Sequence, residues 1–473
     1  KNYTFTGGTI AGTNALIKSG VGILTLSDTN SFSGGVVING GGLIFNSGAA
    51  IPASGTLTLN NTGAVTVVSA SRLPDVLVSG TNAITGNGNS GTGAGSLAVE
   101  GTLNLFVSGG SKVFDLTGAM TGSGRLVLAN SSAMTLRFNG TGGDADAIFD
   151  LGAAANYASV RNNATSIALG GLAGGAAATL QGASSYNDTI TYTLGGANQN
   201  TEFDGAVADG GYSGNPATVI VKTGTGTQIF GGANTYSGGT TVSGGILQIN
   251  NLSGSGTGTG AVAVNSGGTL SGDGIISGAV TINSGGAISP GNPFGILTVN
   301  NNVTLAAGST TLASISASPL TNGSLQVSGT LTLAGALNVT NLSAADFAAG
   351  NHFRLFSAAD FAGGFTSFTL PALTATNLYW NTGRLNVDGS LWVMSRAAPD
   401  IAQTSLAGGD LILSGGDGTP GWTYYVLSST NLTLPLAQWT RVATNQFDAN
   451  GNFIFTNEIN LNAADAFYRM QSQ

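Results

Sequence analysis

The single histidine, His352, lies beside Arg354 in AAGNHFRLFSAADF. A positioned histidine can act as a general base. No second histidine joins it and no nucleophile neighbours it, so it reads as a strand-edge residue. The densest acidic cluster is Asp144, Asp146 and Asp150 in GGDADAIFD. A D-x-D pair can donate oxygens to Ca2+, and paired carboxylates serve glycoside hydrolysis. The spacing is not that of an EF-hand, and the Gly-Gly-x-Gly-x-Asp calcium coil is missing. A solvated loop is therefore expected there, with Ca2+ as the alternative. Glu202, Asp204 and Asp209 form a looser group that reads as turn residues. Glycine strings such as GSGTGTGAV follow from the 77 glycines, lack a helix after them, and carry no phosphate site.

Chemistry is sparse because charge is sparse. Only 7% of the 473 residues are charged, against about 25% in an average soluble protein. With 41% hydrophobic residues the chain is still too apolar to be disordered. Its wetted surface must be Ser, Thr and Asn, which can form ladders on stacked strands without like-charge repulsion. The net charge is −8 and the 13 basic residues are scattered, which excludes nucleic acid as a partner. No amphipathic basic stretch suits a membrane surface, and no apolar run of about 20 residues suits a transmembrane helix. Without cysteine there are no disulfides and no thiolate metal sites. The sequence starts at Lys1 with neither Met nor signal peptide, so a processed, exported chain is expected.

What positions these residues is a repeat. KSGVGILTLSDTNSFSGGVVINGGGLIFN (18–46) aligns without a gap on KTGTGTQIFGGANTYSGGTTVSGGILQIN (222–250). Lys18 falls on Lys222, Asn30 on Asn234, Phe32 on Tyr236, and Gly34-Gly35 on Gly238-Gly239. A shorter unit, GAVAVNSGGTLSG at 260–272, recurs as GAVTINSGGAISP at 278–290. Apolar residues alternate with small polar ones between the glycines, the period-2 mark of strands. A unit so short cannot bury its own apolar face and must stack on copies of itself. The expected fold is all-β, a parallel β-helix, in preference to an array of Greek-key sandwiches. Gly34, Gly35, Gly238 and Gly239 are the expected corners, where positive φ or close backbone approach excludes side chains. About twenty coils at ~4.8 Å per step would make a rod of roughly 100 Å.

VKTGTGTQIFGGANTYSGGTTVSGGILQINN (221–251) resembles the autotransporter-associated β-strand repeat of secreted passenger proteins from double-membraned bacteria. The likeness is also clear over 18–46, and it covers most of residues 1–395, more weakly between about 73 and 165. It implies a right-handed β-helix at the cell surface or outside the cell. Autotransporters end in a membrane barrel of amphipathic strands, and nothing in this sequence has that pattern. Either a barrel has been cleaved off or export uses another route; the second is expected, because the last segment looks like a complete domain.

The solenoid is expected over 1–397 and a small C-terminal β-sandwich over 398–473. In the latter segment the aromatics become denser, and Trp422, Tyr425, Trp439, Phe447, Phe453, Phe455 and Phe467 are candidates for its core. This segment is similar to the β-domain that often follows such repeats. A non-enzymatic, self-assembling surface fibre is the functional expectation. Its N-terminal strand, with Tyr3, Phe5 and Ile10, would add to a neighbouring copy head to tail. The alternative is an adhesin or stalk that binds extracellular glycans, for which Tyr379, Trp380 and Trp392 are aromatic candidates. A second alternative is a β-helix polysaccharide lyase, which would draw on Lys112, Arg125, Arg137 and Arg161 near the Asp144 cluster. No cofactor is assigned.

Overall fold

Alternation builds the strands and the glycines turn them. In the computed structural model Val262–Val264 and Gly268–Gly272 bury every second side chain, as do Val280–Ile282 and Ala287–Pro290. These strands pair in parallel with Val262 on Val280, Val264 on Ile282 and Leu270 on Ile288. The register is the one obtained by superimposing the two sequence units, so one such unit is one coil. The structure describes residues 1–51, 54–68, 72–87, 92–110, 112–140, 143–395, 399–419, 421–458 and 465–472. Among them there is no α-helix, only two short 3-10 turns.

The 18-residue step is the shortest of the coils. Ala83 stacks on Ala64, Leu126 on Leu103 and Thr218 on Ile190, steps that lengthen from 19 to 23 and then 28 residues. Longer coils mean fewer of them. The solenoid has about 15 turns rather than twenty, a stack of roughly 70 Å at ~4.8 Å per step.

Each coil contributes to up to three faces; the third carries Val113–Leu116 paired with Thr135–Asn139 early in the chain and Ile296–Val299, Ser324–Val327 and Phe356–Ser357 later. The first face begins with Leu16–Lys18 and Val36–Ile38 and continues through Thr56–Asn60 and Asp75–Ser79. The second begins with Tyr3–Phe5, Ile23–Leu26 and Gly41–Phe45. Two eight-residue strands, Gly143–Asp150 and Ser166–Ala173, bend around the corner between these faces, with a register shift between Asp144 and Ile148. The first half of Ser166–Ala173 then pairs with Ile190–Leu194 and so leads to Thr218–Lys222. Its second half meets the strand Thr201–Phe203 only through a bridge from Gly174 to Phe203. Beyond that point Thr227–Phe230 and Gly245–Ile249 continue the second face. The two aligned sequence blocks therefore occupy the same two faces of the solenoid.

Inside, like residues stack on like. Leu24, Leu43, Val65, Ile84, Leu105 and Leu128 form one continuous aliphatic column across successive coils. All six are buried, and each contributes on the order of 1.5–3 kcal/mol relative to an exposed side chain. Outside, Thr281, Thr304 and Thr332 make a threonine ladder. The wetted faces are kept soluble by hydroxyls rather than by charge.

The chain divides into two compact units. One comprises Lys1–Ala345, Phe353–Pro371 and Gly383–Leu391. The other comprises Asp346–His352, Ala372–Thr382 and Trp392–Gln473. The expected boundary at 397/398 lies outside the described residues. Two antiparallel three-stranded sheets make up most of the second unit. One joins Asp400–Ala407, Asp410–Gly416 and Phe453–Glu458. The other joins Thr440–Gln446, Thr423–Ser429 and Phe467–Ser472. Leu413, Tyr424, Val426, Phe447, Phe453, Phe455 and Met470 share one cluster. Of the expected aromatics, Phe447, Phe453 and Phe455 are central, while Trp422 packs at the edge. Tyr425 points outward beneath the Arg441 guanidinium, 3.7 Å from its ring centre. Period 2 admits only one of two adjacent tyrosines to the core, and Tyr424 takes the place.

Candidate functional site

The aligned residues of the two repeat blocks form a matched set of clamps. Asn30 takes the N–H of Ile10 from the coil before and donates to the carbonyl of Ala50 in the coil after. Asn234 does the same with Val207 N–H at 2.6 Å and Gly256 O at 2.6 Å. A buried amide thus ties three coils together at a corner, beside the backbone bonds that Asn30 N–H makes to Ala49 O and Asn234 N–H to Ser255 O. Phe32 and Tyr236 are buried nearby in sequence, and Tyr236 shares a 2.6 Å hydrogen bond with Thr240.

Lysine makes the second clamp. Lys18 Nζ donates to Gly20 O at 2.7 Å and to Gly40 O at 3.1 Å. Lys222 Nζ donates to Thr223 O at 2.6 Å and to Gly244 O at 3.1 Å. Lys222 is only 1% exposed, and its burial lowers its pKa to about 8. Its folded-state pKa is thus below its unfolded value, so the burial penalty applies at low pH and disappears as the pH rises. Stability should climb between about pH 8 and pH 10.5, by at most about 1.4 kcal/mol per pH unit. Buried Tyr192 and Tyr236 have raised values, because burial opposes phenolate. They favour the folded chain below about pH 10 and that contribution fades above it. Urea unfolding midpoints measured against pH should therefore peak at about pH 9–10. Lys222→Met should remove the rise and leave the alkaline fall.

The corner glycines behave as their spacing implies. A Cβ on Gly34 would lie 2.3 Å from Asn14 C, and one on Gly238 would lie 2.5 Å from Thr218 O, both in the preceding coil. Gly35 and Gly239 have φ of +83° and +86° and face Thr56 and Ala261 in the following coil.

The acidic residues do not assemble into one centre. Asp150 Oδ2 accepts from Arg125 at 2.7 Å, and its Oδ1 accepts from the Gly152 N–H. Asp144 caps the Asp146 N–H two residues on. Of the basic residues near this cluster in sequence, only Arg125 pairs with it. Lys112 donates to Ser132, and Arg137 lies opposite Asp115 on the third face. Burial, and then Arg161, lower the Arg137 pKa, while burial raises that of Asp115. Asp209 accepts from the N–H groups of Thr218 and Ser237, joining successive coils. Among the described residues no three acidic or histidine side chains gather in a way that could hold a metal.

The other candidate positions are exposed in the N-terminal strand and packed against aromatic neighbours elsewhere. Tyr3–Phe5 pairs with Ile23–Leu26 of its own chain, leaving Tyr3 62% and Phe5 54% exposed; Ile10 is part-buried. His352 stacks on Trp392 with ring centres 4.4 Å apart. Trp380 meets Phe347 edge-on at 4.9 Å, and Tyr379 lies 5.1 Å from Trp422.

Two features escaped the reading of the sequence. The first is Gln228, which replaces Leu24 in the alignment and is buried. The second is a groove lined by Phe294, Ile296, Leu320, Gln326, Arg354 and Ser357, among others. One of its flanks is a hairpin formed by Thr310–Ala317 and Leu320–Asn322, an antiparallel excursion from the parallel coils.

Comparison with known proteins bears on the clamped blocks. Residues 16–44 and 220–249 match the passenger-associated-transport-repeat family. Both blocks are passenger-type repeats. The solenoid that they punctuate is a passenger-type β-helix. The chain is also similar to the adhesin BmaC autotransporter of Brucella suis biovar 1 (strain 1330), 28% identical over 304 residues. That alignment covers 54% of this chain and 8% of the relative, so the chain spans a small fraction of the relative's length. Among the described residues no helix is long and apolar enough to cross a membrane.

Proposed function

We propose that this chain is a non-enzymatic passenger segment of a surface adhesin from a double-membraned bacterium, presented outside the cell. In this reading a right-handed β-helix serves as stalk and binding surface, and the C-terminal sheets pack as a β-sandwich. The observation that carries it is the pair of passenger repeats within a chain similar to an autotransporter adhesin over half its length. A low-charge solenoid with clamped corners suits that work, because it can hold a binding surface out from the cell without a catalytic centre. The lyase reading has less support, since Asp150 is occupied by Arg125. The fibre reading also has less, since Tyr3–Phe5 already pairs with Ile23–Leu26 in the next coil of its own chain.

Adhesion is the direct test. Beads coated with the intact chain should attach to epithelial monolayers, and soluble chain should compete with them. Beads that attach no better than albumin-coated controls would defeat the proposal. Negative-stain images of the native chain should show separate particles, and long uniform fibres would return the fibre reading to first place.

A further inference from the structure

We infer that the groove beside the Thr310–Ala317/Leu320–Asn322 hairpin binds a carboxylated saccharide; this rests on the adhesin reading and gives it a ligand class. Three observations meet there. Apolar side chains that the core does not use line the groove: Leu320 is 48% exposed, Ile296 51% and Phe294 37%. The hairpin register, Ala317 on Leu320 and Ile315 on Asn322, takes Leu320 out of the parallel stack.

Polar groups supply the adjoining surface. Ile296 stacks on Ser324, Thr298 on Gln326, and Gln326 on Ser357, so a planar amide and hydroxyls follow one another along the third face. A pyranose offers C–H patches on its faces and hydroxyls around its edge. Apolar contacts with a few placed polar groups are the usual makings of a small-ligand site.

Arg354 decides the charge. Its one side-chain hydrogen bond is a long contact with Ser357 Oγ at 3.4 Å, and it has no ion pair among the described residues. A guanidinium carries five N–H donors in a fork that fits a carboxylate. In a chain with 21 acidic and 13 basic side chains, an uncompensated arginine in an amphipathic groove selects an anionic ligand. One cation is too few for a nucleic-acid backbone. A neutral sugar would leave the guanidinium unused.

The test uses the intact chain and three probes: a hyaluronan tetrasaccharide, 3′-sialyllactose and lactose. The carboxylated probes should bind, the stronger of the two showing whether the carboxylate comes from a uronate or a sialate. Lactose should bind at least about tenfold more weakly. Arg354→Gln should lose about tenfold or more of the affinity with an unchanged melting temperature. Leu320→Ser should weaken binding of the same probes, while Arg161→Gln, outside the groove, should leave it unchanged. Equal binding of lactose, or full binding by a folded Arg354→Gln protein, overturns the inference. If coated beads adhere to cells but the chain binds neither acidic probe, the groove assignment falls and the adhesin reading stands. If the probes bind but beads do not adhere, the reverse holds.

Discussion

Replacing Gln228 by Leu should destabilise the solenoid by about 3 kcal/mol, although Leu24 fills the aligned place in the first repeat. The Gln228 amide accepts from Leu172 N–H at 3.2 Å and donates to Leu172 O at 3.0 Å, two coils away. It also accepts from Thr201 Oγ1 at 2.8 Å in the coil between. Leu172 lies in the second half of the corner strand, where the coil above meets it only through the Gly174–Phe203 bridge. Its peptide groups consequently need a partner, and the primary amide of Gln228 supplies the same donor and acceptor as a peptide. Leucine would fill the volume and leave Leu172 N–H and C=O buried without partners, each costing about 1–3 kcal/mol. Leu24 has no such duty, because it continues an aliphatic column on Leu43.

The check is an unfolding midpoint together with amide hydrogen exchange. Protection should fall first around Leu172, Thr201 and Gln228, because a solenoid defect weakens its neighbouring interfaces before distant coils. The distant strand Thr56–Asn60 should keep its protection. A Gln228→Leu protein as stable as the parent would remove the peptide-substitute role altogether.

The same contrast separates what the sequence makes legible from what it hides. Tandem similarity encodes register directly, because residues that recur at one coil's spacing must stack. Val262 on Val280 and Leu270 on Ile288 were readable for that reason. The glycine pairs were readable because few other residues tolerate both positive φ and close approach. Gln228 was not, since the alternation in TQIF (227–230) gives no sign that the buried position needs an amide for a peptide two coils earlier. Lys18 and Lys222 were visible as aligned residues, but only the fold turns their ammonium groups inward onto corner carbonyls. The coil count was overestimated because the 18-residue unit, the clearest in the sequence, is also the shortest. The groove was hidden in SASPLTNG (316–323), which gives no indication that the chain doubles back instead of proceeding to the next rung.

Gly238→Ala should cost about 3 kcal/mol, at the upper end of what overpacking usually costs, because the obstruction is backbone. The added methyl would sit 2.5 Å from Thr218 O and 2.5 Å from Val219 Cγ2. The valine methyl can turn aside, but Thr218 is held by its ladder with Ile190. To admit the methyl, the corner must lift from the coil beneath, and the Gly238 N–H bond to Thr218 O lengthens with it. Gly239 cannot absorb the movement freely, since it already sits at φ +86° against Ala261 in the coil above. Gly364→Ala is the matched control: nothing lies within 4 Å of its added Cβ and its φ is not in the left-handed region, so the midpoint should hardly move. Gly34→Ala meets Asn14 C at 2.3 Å in the first repeat and should cost about as much as Gly238→Ala. The two corners share no partner, so the double variant should lose nearly the sum. A tolerated Gly238→Ala alongside a damaging Gly34→Ala would mean that the second repeat has slack that its close contacts deny. The corner would then not be the element that spaces the coils.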